Sequence, residues 1–165
     1  MTLVSALARK SSAVRSHKSR RIDGSGIARL GHSKSVQATS RPTVLVVDDD
    51  APFTRSLKRL LSVSGFQVET FASPSDLLTS TIPTSNACMM IDINLPEMTG
   101  IELFEILKAS DRNLPTILIT AKTDVRTRDM AARADPIAVL FKPFNEQPLL
   151  EAIDLALASS IKDRP

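Results

Sequence analysis

Short apolar runs alternate with helical patterns from residue 43 almost to the end of the chain, and this alternation restricts the fold more than any other feature. The first run, Thr43–Val47, is too short for a helix and is rich in β-branched residues, which is typical of a buried strand. The next apolar residues have the spacing of one helix face, at Phe53, Leu57, Leu60 and Leu61. A strand followed directly by an amphipathic helix is therefore the repeating unit.

Four more units of the same kind follow the first one. The strands are predicted at 43–47, 66–71, 87–91, 116–119 and 137–141, and the helices at about 52–64, 74–79, 100–109, 124–133 and from 146 onward. Strands that are apolar on both faces, with helices between them, require a parallel sheet that is covered on both sides. The predicted fold is an α/β, three-layer, doubly wound (βα)5 sandwich with right-handed crossovers.

The charge of the chain is divided unevenly between two parts. Residues 1–41 contain nine of the 21 Lys and Arg residues but one of the 18 Asp and Glu residues, so their net charge is +8 and that of the remainder is −5. Because the basic part is rich in Ser and Arg and has no periodic apolar pattern, we predict a disordered extension at 1–41 and a folded domain at 42–165. Three further interpretations of 1–41 stay open: a transit peptide, a segment upstream of the true start codon, and a basic arm that binds nucleic acid or an acidic partner.

The cysteine content and the hydropathy favour a cytoplasmic protein. Cys88 is the only cysteine and lies in an apolar run, which excludes an internal disulfide and favours a buried thiol over a reactive one. A chain without disulfides fits a reducing compartment. No apolar run approaches the ~18 residues that a membrane span needs, so we expect no membrane insertion. The acidic folded part gives no signal of its own for nucleic-acid binding.

Side chains that can do chemistry follow four of the five predicted strands. In open parallel sheets, ligands bind at the carboxyl ends of the strands, where the winding of the chain reverses. Because these ends meet at one edge, we expect the side chains there to lie close together. They are Asp48, Asp49 and Asp50 after the first strand, Asp92 after the third, Thr120 after the fourth and Lys142 after the fifth.

Several carboxylates at one edge need a counter-ion, because like charges that lie close together cannot all stay ionised without one. Mg²⁺ fits best, since it prefers oxygen ligands, needs only one or two carboxylates and is completed by water and phosphate oxygens. Both histidines, His17 and His32, lie in the basic part, which argues against zinc. A cation, a hydroxyl and a lysine around one carboxylate form a phosphoryl-transfer site, in which Asp92 is the predicted nucleophile.

Four motifs resemble those of bacterial two-component receiver domains. They are Val-Val-Asp-Asp-Asp at 46–50, Ile-Asp-Ile-Asn-Leu-Pro-Glu-Met-Thr-Gly at 91–100, Ile-Thr-Ala at 119–121 and Phe-Lys-Pro-Phe at 141–144. They occur in order at the ends of predicted strands, and the resemblance covers about 41–161. It implies a flavodoxin-like sheet with the strand order 2-1-3-4-5.

The resemblance also implies roles for the acidic residues and the cofactor Mg²⁺. Asp92 resembles the phospho-acceptor, which is also a metal ligand. Asp49 resembles the residue that binds Mg²⁺ directly, and Asp48 resembles its neighbour that acts through water. Asn94 would offer its backbone carbonyl to the metal.

Thr120 and Lys142 resemble the residues that respond to the phosphoryl group, as the hydroxyl that follows it and the lysine that contacts one of its oxygens. The implied donor is a histidine kinase or a histidine phosphotransfer protein, and the implied output is an altered affinity for a downstream protein target. We expect the domain to catalyse only its own phosphorylation and dephosphorylation. Because the chain stops at Pro165, soon after the last predicted helix, we also expect a stand-alone receiver without an output domain.

The chain departs from the pattern that it resembles at two places. The family commonly has Tyr, Phe or His three residues before the lysine, and here that residue is Val139. Asp135 and Pro136 stand where a Gly-Ala pair is common. We therefore predict that the signal leaves through the loop after Thr120 and the fourth helix rather than through an aromatic side chain.

Two other functions stay open on the sequence alone. A nucleic-acid-associated regulator under receiver control would use 1–41 as its basic arm, and its binding would depend steeply on salt. A Mg²⁺-dependent phosphohydrolase would need a general acid or base beside the nucleophile, and Asp50 is the only candidate.

Overall fold

The computed structural model of the protein describes residues 40–121 and 124–162, and only the backbone of residues 160–162. Residues 1–39, which include nearly all of the predicted basic extension, lie outside the described residues. The strands are β1 (Thr43–Val47), β2 (Gln67–Phe71), β3 (Ala87–Asp92), β4 (Thr116–Thr120) and β5 (Ala138–Phe141). The helices are α1 (Ala51–Val63), α2 (Pro74–Thr79), α3 (Gly100–Lys108), α4 (Val125–Ala134) and α5 (Glu146–Lys162).

The five strands form one parallel sheet in the order β2-β1-β3-β4-β5. This order and the α/β three-layer architecture confirm the fold that was predicted. Helices α1 and α5 pack on one face of the sheet, and α2, α3 and α4 pack on the other. The winding reverses between β1 and β3, so the carboxyl ends of these two strands flank the place where such sheets bind ligands.

Side chains of the central strands alternate between two apolar cores. In β1, Leu45 and Val47 belong to the core shared with α2, α3 and α4, whereas Val44 and Val46 belong to the core shared with α1 and α5. All four side chains are fully buried. Burial on both faces explains why this strand is a continuous apolar run, and it anchors the residues that follow the strand.

The edge strand β2 differs from the central strands. Gln67, Glu69 and Thr70 are exposed, and Val68 and Phe71 are only partly buried. The expectation that the strands are apolar on both faces is therefore wrong for β2. Polar and charged residues suit an edge strand, because they discourage pairing with another chain along its free side.

Side-chain caps set the residues at which α1 and α3 begin. Asp50 accepts a hydrogen bond from the Phe53 amide at 3.0 Å, with Pro52 in the first turn of α1. The Thr99 hydroxyl accepts one from the Glu102 amide at 3.2 Å, and the Glu102 carboxylate accepts one from the Thr99 amide at 2.8 Å. This pair of hydrogen bonds is a capping box, and the hydrogen bonds from Thr99 hold the pKa of Glu102 below its ordinary value.

The thiol of Cys88 lies in β3 and is fully buried, as predicted. Burial raises the pKa of this thiol to about 12, so it stays protonated and unreactive at neutral pH. Among the helices that the structure describes, none has both the length and the apolar character that crossing a lipid bilayer requires.

Arg112 closes the carboxyl end of the short helix α2 from a distant part of the chain. Its guanidinium donates hydrogen bonds to the backbone carbonyls of Leu77, Leu78 and Ser80 at 2.8, 2.5 and 2.8 Å. Because the charged guanidinium makes three hydrogen bonds at the end of this helix, Arg112→Met is expected to lower the free energy of unfolding in urea by about 2 kcal/mol. Arg59→Met, which removes an exposed arginine of α1, is the control and should change it by less than about 0.5 kcal/mol. Equal losses in the two variants would contradict the capping role.

Candidate functional site

Two buried carboxylates lie at the ends of neighbouring strands. Asp48 directly follows β1 and is 2% exposed, and Asp92 is the last residue of β3 and is 5% exposed. Asp48 Oδ1 accepts a hydrogen bond from the Asp50 amide at 2.9 Å, and Asp92 Oδ2 accepts one from the Asn94 amide at 2.9 Å. The backbone of its own loop therefore holds one oxygen of each carboxylate.

Lys142, which directly follows β5, joins the two carboxylates through their other oxygens. Its Nζ lies 2.5 Å from Asp48 Oδ2 and 3.2 Å from Asp92 Oδ1. The Lys142 amide donates to the Thr120 carbonyl at 2.8 Å, which extends the pairing of β4 with β5, and the Lys142–Pro143 peptide bond is cis. The three strand ends thus bring Asp48, Asp92 and Lys142 together, as the sheet topology predicts.

Burial and charge act against each other in this cluster. Burial raises the pKa of the Asp92 carboxyl above its ordinary value, while the Lys142 ammonium opposes the rise and Asp48 adds to it. Burial alone would lower the pKa of Lys142, but the hydrogen bond to Asp48 and the charge of Asp92 raise it above its ordinary value. Lys142 therefore stays protonated and positively charged at neutral pH. Asp92 is a buried carboxylate that a further positive charge would stabilise.

The Asn94 side chain ties Thr120 to the same cluster, a contact that was not predicted. Its Nδ2 donates a hydrogen bond to Thr120 Oγ1 at 3.0 Å. Thr120 is the last residue of β4 and is fully buried. The hydroxyl is thus held next to the loop that carries Asp92. The metal-ligand role of the Asn94 backbone carbonyl stays a prediction.

The loop after Asp92 turns back onto the end of its own strand. The Gly100 amide donates a hydrogen bond to the Ile93 carbonyl at 3.0 Å. A Cβ atom on Gly100 would collide with the backbone carbonyl of Asp92. Only glycine permits this close approach, so the last residue of the motif at 91–100 shapes the loop that holds Asp92.

Asp49 and Asp50 are exposed and take no part in the ion pairs of Lys142. Asp50 caps α1 through its side chain, which differs from the acid or base role that a phosphohydrolase would need. Within residues 40–121 and 124–162, no three Asp, Glu, His or Cys side chains form a group that could hold a metal ion. Of the carboxylates predicted to bind the metal, the structure joins Asp48 and Asp92 through Lys142, and the ligand role of Asp49 stays a prediction.

The ligand chemistry of the two gathered carboxylates fits Mg²⁺. Asp48 and Asp92 supply hard oxygen donors, and Mg²⁺ needs only one or two carboxylates because it keeps several of its waters. Zinc sites in proteins are typically built with His or Cys ligands, and the described residues at this edge of the sheet bring neither residue type into a metal-binding group with the pair. The Lys142 ammonium already contacts both carboxylates, so a positive charge is compatible with this position.

Phe53, which was predicted as a core residue of α1, also lies at the site. It packs at the margin of the core shared by α1 and α5, as predicted, but Lys142 Nζ lies 4.0 Å from the centroid of its ring. The helical spacing of Phe53 and Leu57 indicates only the core role. One feature of the sequence points to the contact with Lys142. Phe53 follows Asp50 by three residues and so lies in the first turn of a helix that starts at the carboxyl edge of the sheet.

The structure shows how the chain accommodates Val139 and Asp135, the residues at which it departs from the family pattern. Val139 is partly buried and packs against the core shared with α2, α3 and α4. Asp135 ends α4 in the left-handed backbone conformation, with φ of 58°, which aspartate tolerates better than most residues other than glycine. Residues 122–123, close behind Thr120, lie outside the described residues, so the predicted route of the signal through that loop stays a prediction.

Comparison with known proteins agrees with this fold. The family model described as response regulator receiver domain matches residues 44–154. The chain belongs to this family. Receiver domains act in the phosphorelay signalling of two-component systems. A receiver domain protein (CheY-like) from Methanospirillum hungatei is similar in structure, with a TM-score of 0.64 and 29% identity over 76% of this chain and 100% of that chain.

Longer proteins are similar to the chain over part of their length. A structure of the response regulator StyR gives a TM-score of 0.68 and 41% identity, over 74% of this chain and 62% of that chain. Nodulation protein W of Bradyrhizobium diazoefficiens is 31% identical over 134 residues, which is 81% of this chain and 58% of that protein. The chain spans only 51% to 58% of the length of the first three curated relatives. The similarity therefore concerns the receiver domain.

Proposed function

We propose that this receiver domain accepts a phosphoryl group on Asp92 and uses it to alter its contacts with other proteins. The observation that carries the proposal is the ion-pair cluster, in which Lys142 Nζ lies 2.5 Å from Asp48 and 3.2 Å from Asp92. Catalysis of phosphoryl transfer consists mainly of positioning and electrostatic stabilisation. A buried carboxylate beside a fixed ammonium group, with a hydroxyl close by, supplies both.

In the transfer step, an oxygen of Asp92 attacks the phosphorus of a phosphohistidine on a histidine kinase or a phosphotransfer protein. The P–O bond forms while the P–N bond breaks, and the leaving imidazole takes up a proton from solvent. Lys142 holds its ammonium where negative charge develops on the phosphoryl oxygens. Water later attacks the phosphorus of the acyl phosphate, which releases inorganic phosphate and restores the Asp92 carboxylate.

Asp49, Asp92 and the backbone carbonyl of Asn94 would bind Mg²⁺ directly, and Asp48 would act on it through water. When bound, the ion supplies positive charge that offsets the charge of the carboxylates and of the phosphoryl oxygens. The burial of Asp48 and Asp92 beside each other supports this role, because two such carboxylates are stabilised by any cation that reaches them.

Thr120 would respond to phosphorylation of Asp92. Its hydroxyl oxygen accepts a hydrogen bond from the Asn94 side-chain amide, and its O–H would donate one to a phosphoryl oxygen, whose negative charge strengthens such a bond. The domain would then shift between two populations with different affinities for a downstream protein target.

The test is to incubate the protein with acetyl phosphate and Mg²⁺ and to measure its intact mass. A single phosphoryl adduct is expected, and it should be absent when EDTA replaces Mg²⁺. Borohydride reduction of the acyl phosphate, followed by peptide mapping, should place the modification on Asp92. An unmodified protein, or a modification on Asp48, Asp49 or Asp50 instead, would reject the proposal.

A further inference from the structure

Lys142 has a third neighbour beside the two carboxylates. Its Nζ lies 4.0 Å from the centroid of the Phe53 ring, well inside the range of about 6 Å over which a ring face attracts a cation. The Lys142 side chain is 18% exposed, so water screens this contact only weakly. Asp48, Asp92 and the ring of Phe53 therefore surround a single ammonium group.

Two independent contacts position Phe53, one through its ring and one through its backbone amide. Phe144 meets it edge-to-face, with the ring centroids 6.0 Å apart and the planes at 85°. Asp50 fixes the Phe53 amide at 3.0 Å and so sets the first turn of α1. Phe144 comes two residues after Lys142, so the loop that delivers the ammonium also delivers the residue that orients the ring.

A ring face suits this position for a physical reason. The carboxylates hold the ammonium through its N–H groups, and a phosphoryl oxygen on Asp92 would compete for the same N–H groups. The ring attracts the positive charge through its quadrupole, so its contact persists while a carboxylate contact is exchanged for a phosphoryl contact. A charge that is held in place beforehand needs no reorganisation at the moment of transfer.

We propose that Phe53 is a positioning residue, which holds the Lys142 ammonium beside Asp92 and thereby speeds phosphoryl transfer. Phe53 acts through Lys142 and not on the phosphoryl group itself. The inference rests on the proposed function of the site, and it adds a residue of α1 to the elements that determine how fast Asp92 is phosphorylated.

A series of fluorinated rings tests the electrostatics of Phe53 separately from its volume. Phenylalanines with one, two and three fluorines at this position weaken the negative ring face stepwise, while the packing against Phe144 stays nearly the same. The rate of phosphorylation by acetyl phosphate at saturating Mg²⁺ should fall stepwise along the series. Phe53→Leu, which has no ring face, should react about 2- to 30-fold more slowly than the wild type, and Phe53→Tyr should keep the wild-type rate.

NMR of the metal-free protein gives a second readout, which reports the contact itself. Protons at the end of the Lys142 side chain should be shifted upfield by the ring, and this shift should vanish in Phe53→Leu and remain in Phe53→Tyr. Phe66→Leu is the matched control, because Phe66 packs against the same core but lies beyond the other end of α1, just before β2. Its phosphorylation rate and the Lys142 shift should match those of the wild type.

Three outcomes would overturn the inference. Rates within about twofold of the wild type in Phe53→Leu and in the fluorinated proteins, with normal modification of Asp92, would show that Phe53 does not position Lys142. The proposed function of Asp92 would be unaffected by that result. An equal loss of rate in Phe53→Leu and Phe66→Leu would attribute the effect to packing alone. A wild-type protein that forms no adduct would instead reject the proposed function, and the inference would fall with it.

Discussion

Asp92→Asn is expected to abolish the phosphoryl adduct and, at the same time, to stabilise the metal-free domain. The amide offers no carboxylate oxygen to attack phosphorus, so no acyl phosphate forms. Its shape nearly matches that of the carboxylate, so the side-chain oxygen can still accept the hydrogen bond from the Asn94 amide. The variant separates the chemistry of the site from its contribution to folding, because the two effects have opposite signs.

The gain in stability depends on pH in a direction set by the Asp92 carboxyl. Burial raises its pKa above the ordinary value of 3.8, so the folded state binds this proton more tightly than the unfolded state, and the ionised carboxylate lowers the stability at neutral pH. We therefore expect Asp92→Asn to raise the free energy of unfolding by about 1 kcal/mol at neutral pH. The gain should shrink as the pH falls through the raised pKa, and it should be lost below 3.8, where the wild-type carboxyl is protonated in both states.

Urea denaturation in EDTA, at a series of pH values from neutral to acidic, measures this difference, and intact mass after acetyl phosphate measures the adduct. Asp50→Asn is the matched control, since it removes an exposed acid two residues from Asp48 while asparagine still caps α1. It should form the adduct, and its unfolding free energy should change by less than about 0.5 kcal/mol. An Asp92→Asn protein that is less stable than the wild type at neutral pH would mean that Lys142, and not burial, dominates the energetics of Asp92.

The central strands were predictable because burial on two faces leaves a strong local pattern. Every residue of β1, β3 and β4 is buried, and each strand is a short apolar run. A polar residue marks the carboxyl end of each run: Asp48 follows β1, and Asp92 and Thr120 are the last residues of β3 and β4. The strand β2 carries no such pattern, because an edge strand has one neighbour and a large exposed surface. The order of the strands had to come from the resemblance, since local periodicity does not say which strands are neighbours.

The positions of the site residues were predictable, but their contacts were not. Asp48, Asp92 and Lys142 each lie at the end of a strand, and topology alone brings such ends to one edge. Which atoms meet there depends on side-chain rotamers and on residues from other elements. The ring of Phe53 over Lys142 and the side-chain hydrogen bond of Asn94 both join residues that are far apart in the chain, and neither leaves a periodic signal in the sequence.

Lys142→Met should lower both the stability of the domain and its rate of phosphorylation. The ammonium is the partner of two carboxylates that are 2% and 5% exposed, and its removal leaves both of them without that partner. We expect the unfolding free energy in EDTA to fall by about 3 kcal/mol at neutral pH. Phosphorylation by acetyl phosphate should be about 100- to 1000-fold slower, because a preorganised positive charge beside the phosphoryl oxygens is lost. Lys58→Met, which removes an exposed lysine of α1, should change the unfolding free energy by less than about 0.5 kcal/mol.

The double variant Asp92→Asn/Lys142→Met decides whether Lys142 stabilises the fold by compensating Asp92. If it does, the double variant should be more stable than Lys142→Met alone, because only one carboxyl group, that of Asp48, then lacks the lysine as its partner. The deficit of Lys142→Met should also shrink as the pH falls, since Lys142 is the main influence that opposes the effect of burial on the Asp92 pKa, and a protonated carboxyl needs no counter-ion. A double variant that is as unstable as Lys142→Met, with a deficit that does not change with pH, would assign the contribution of Lys142 to Asp48 and to the packing of its side chain against Phe53.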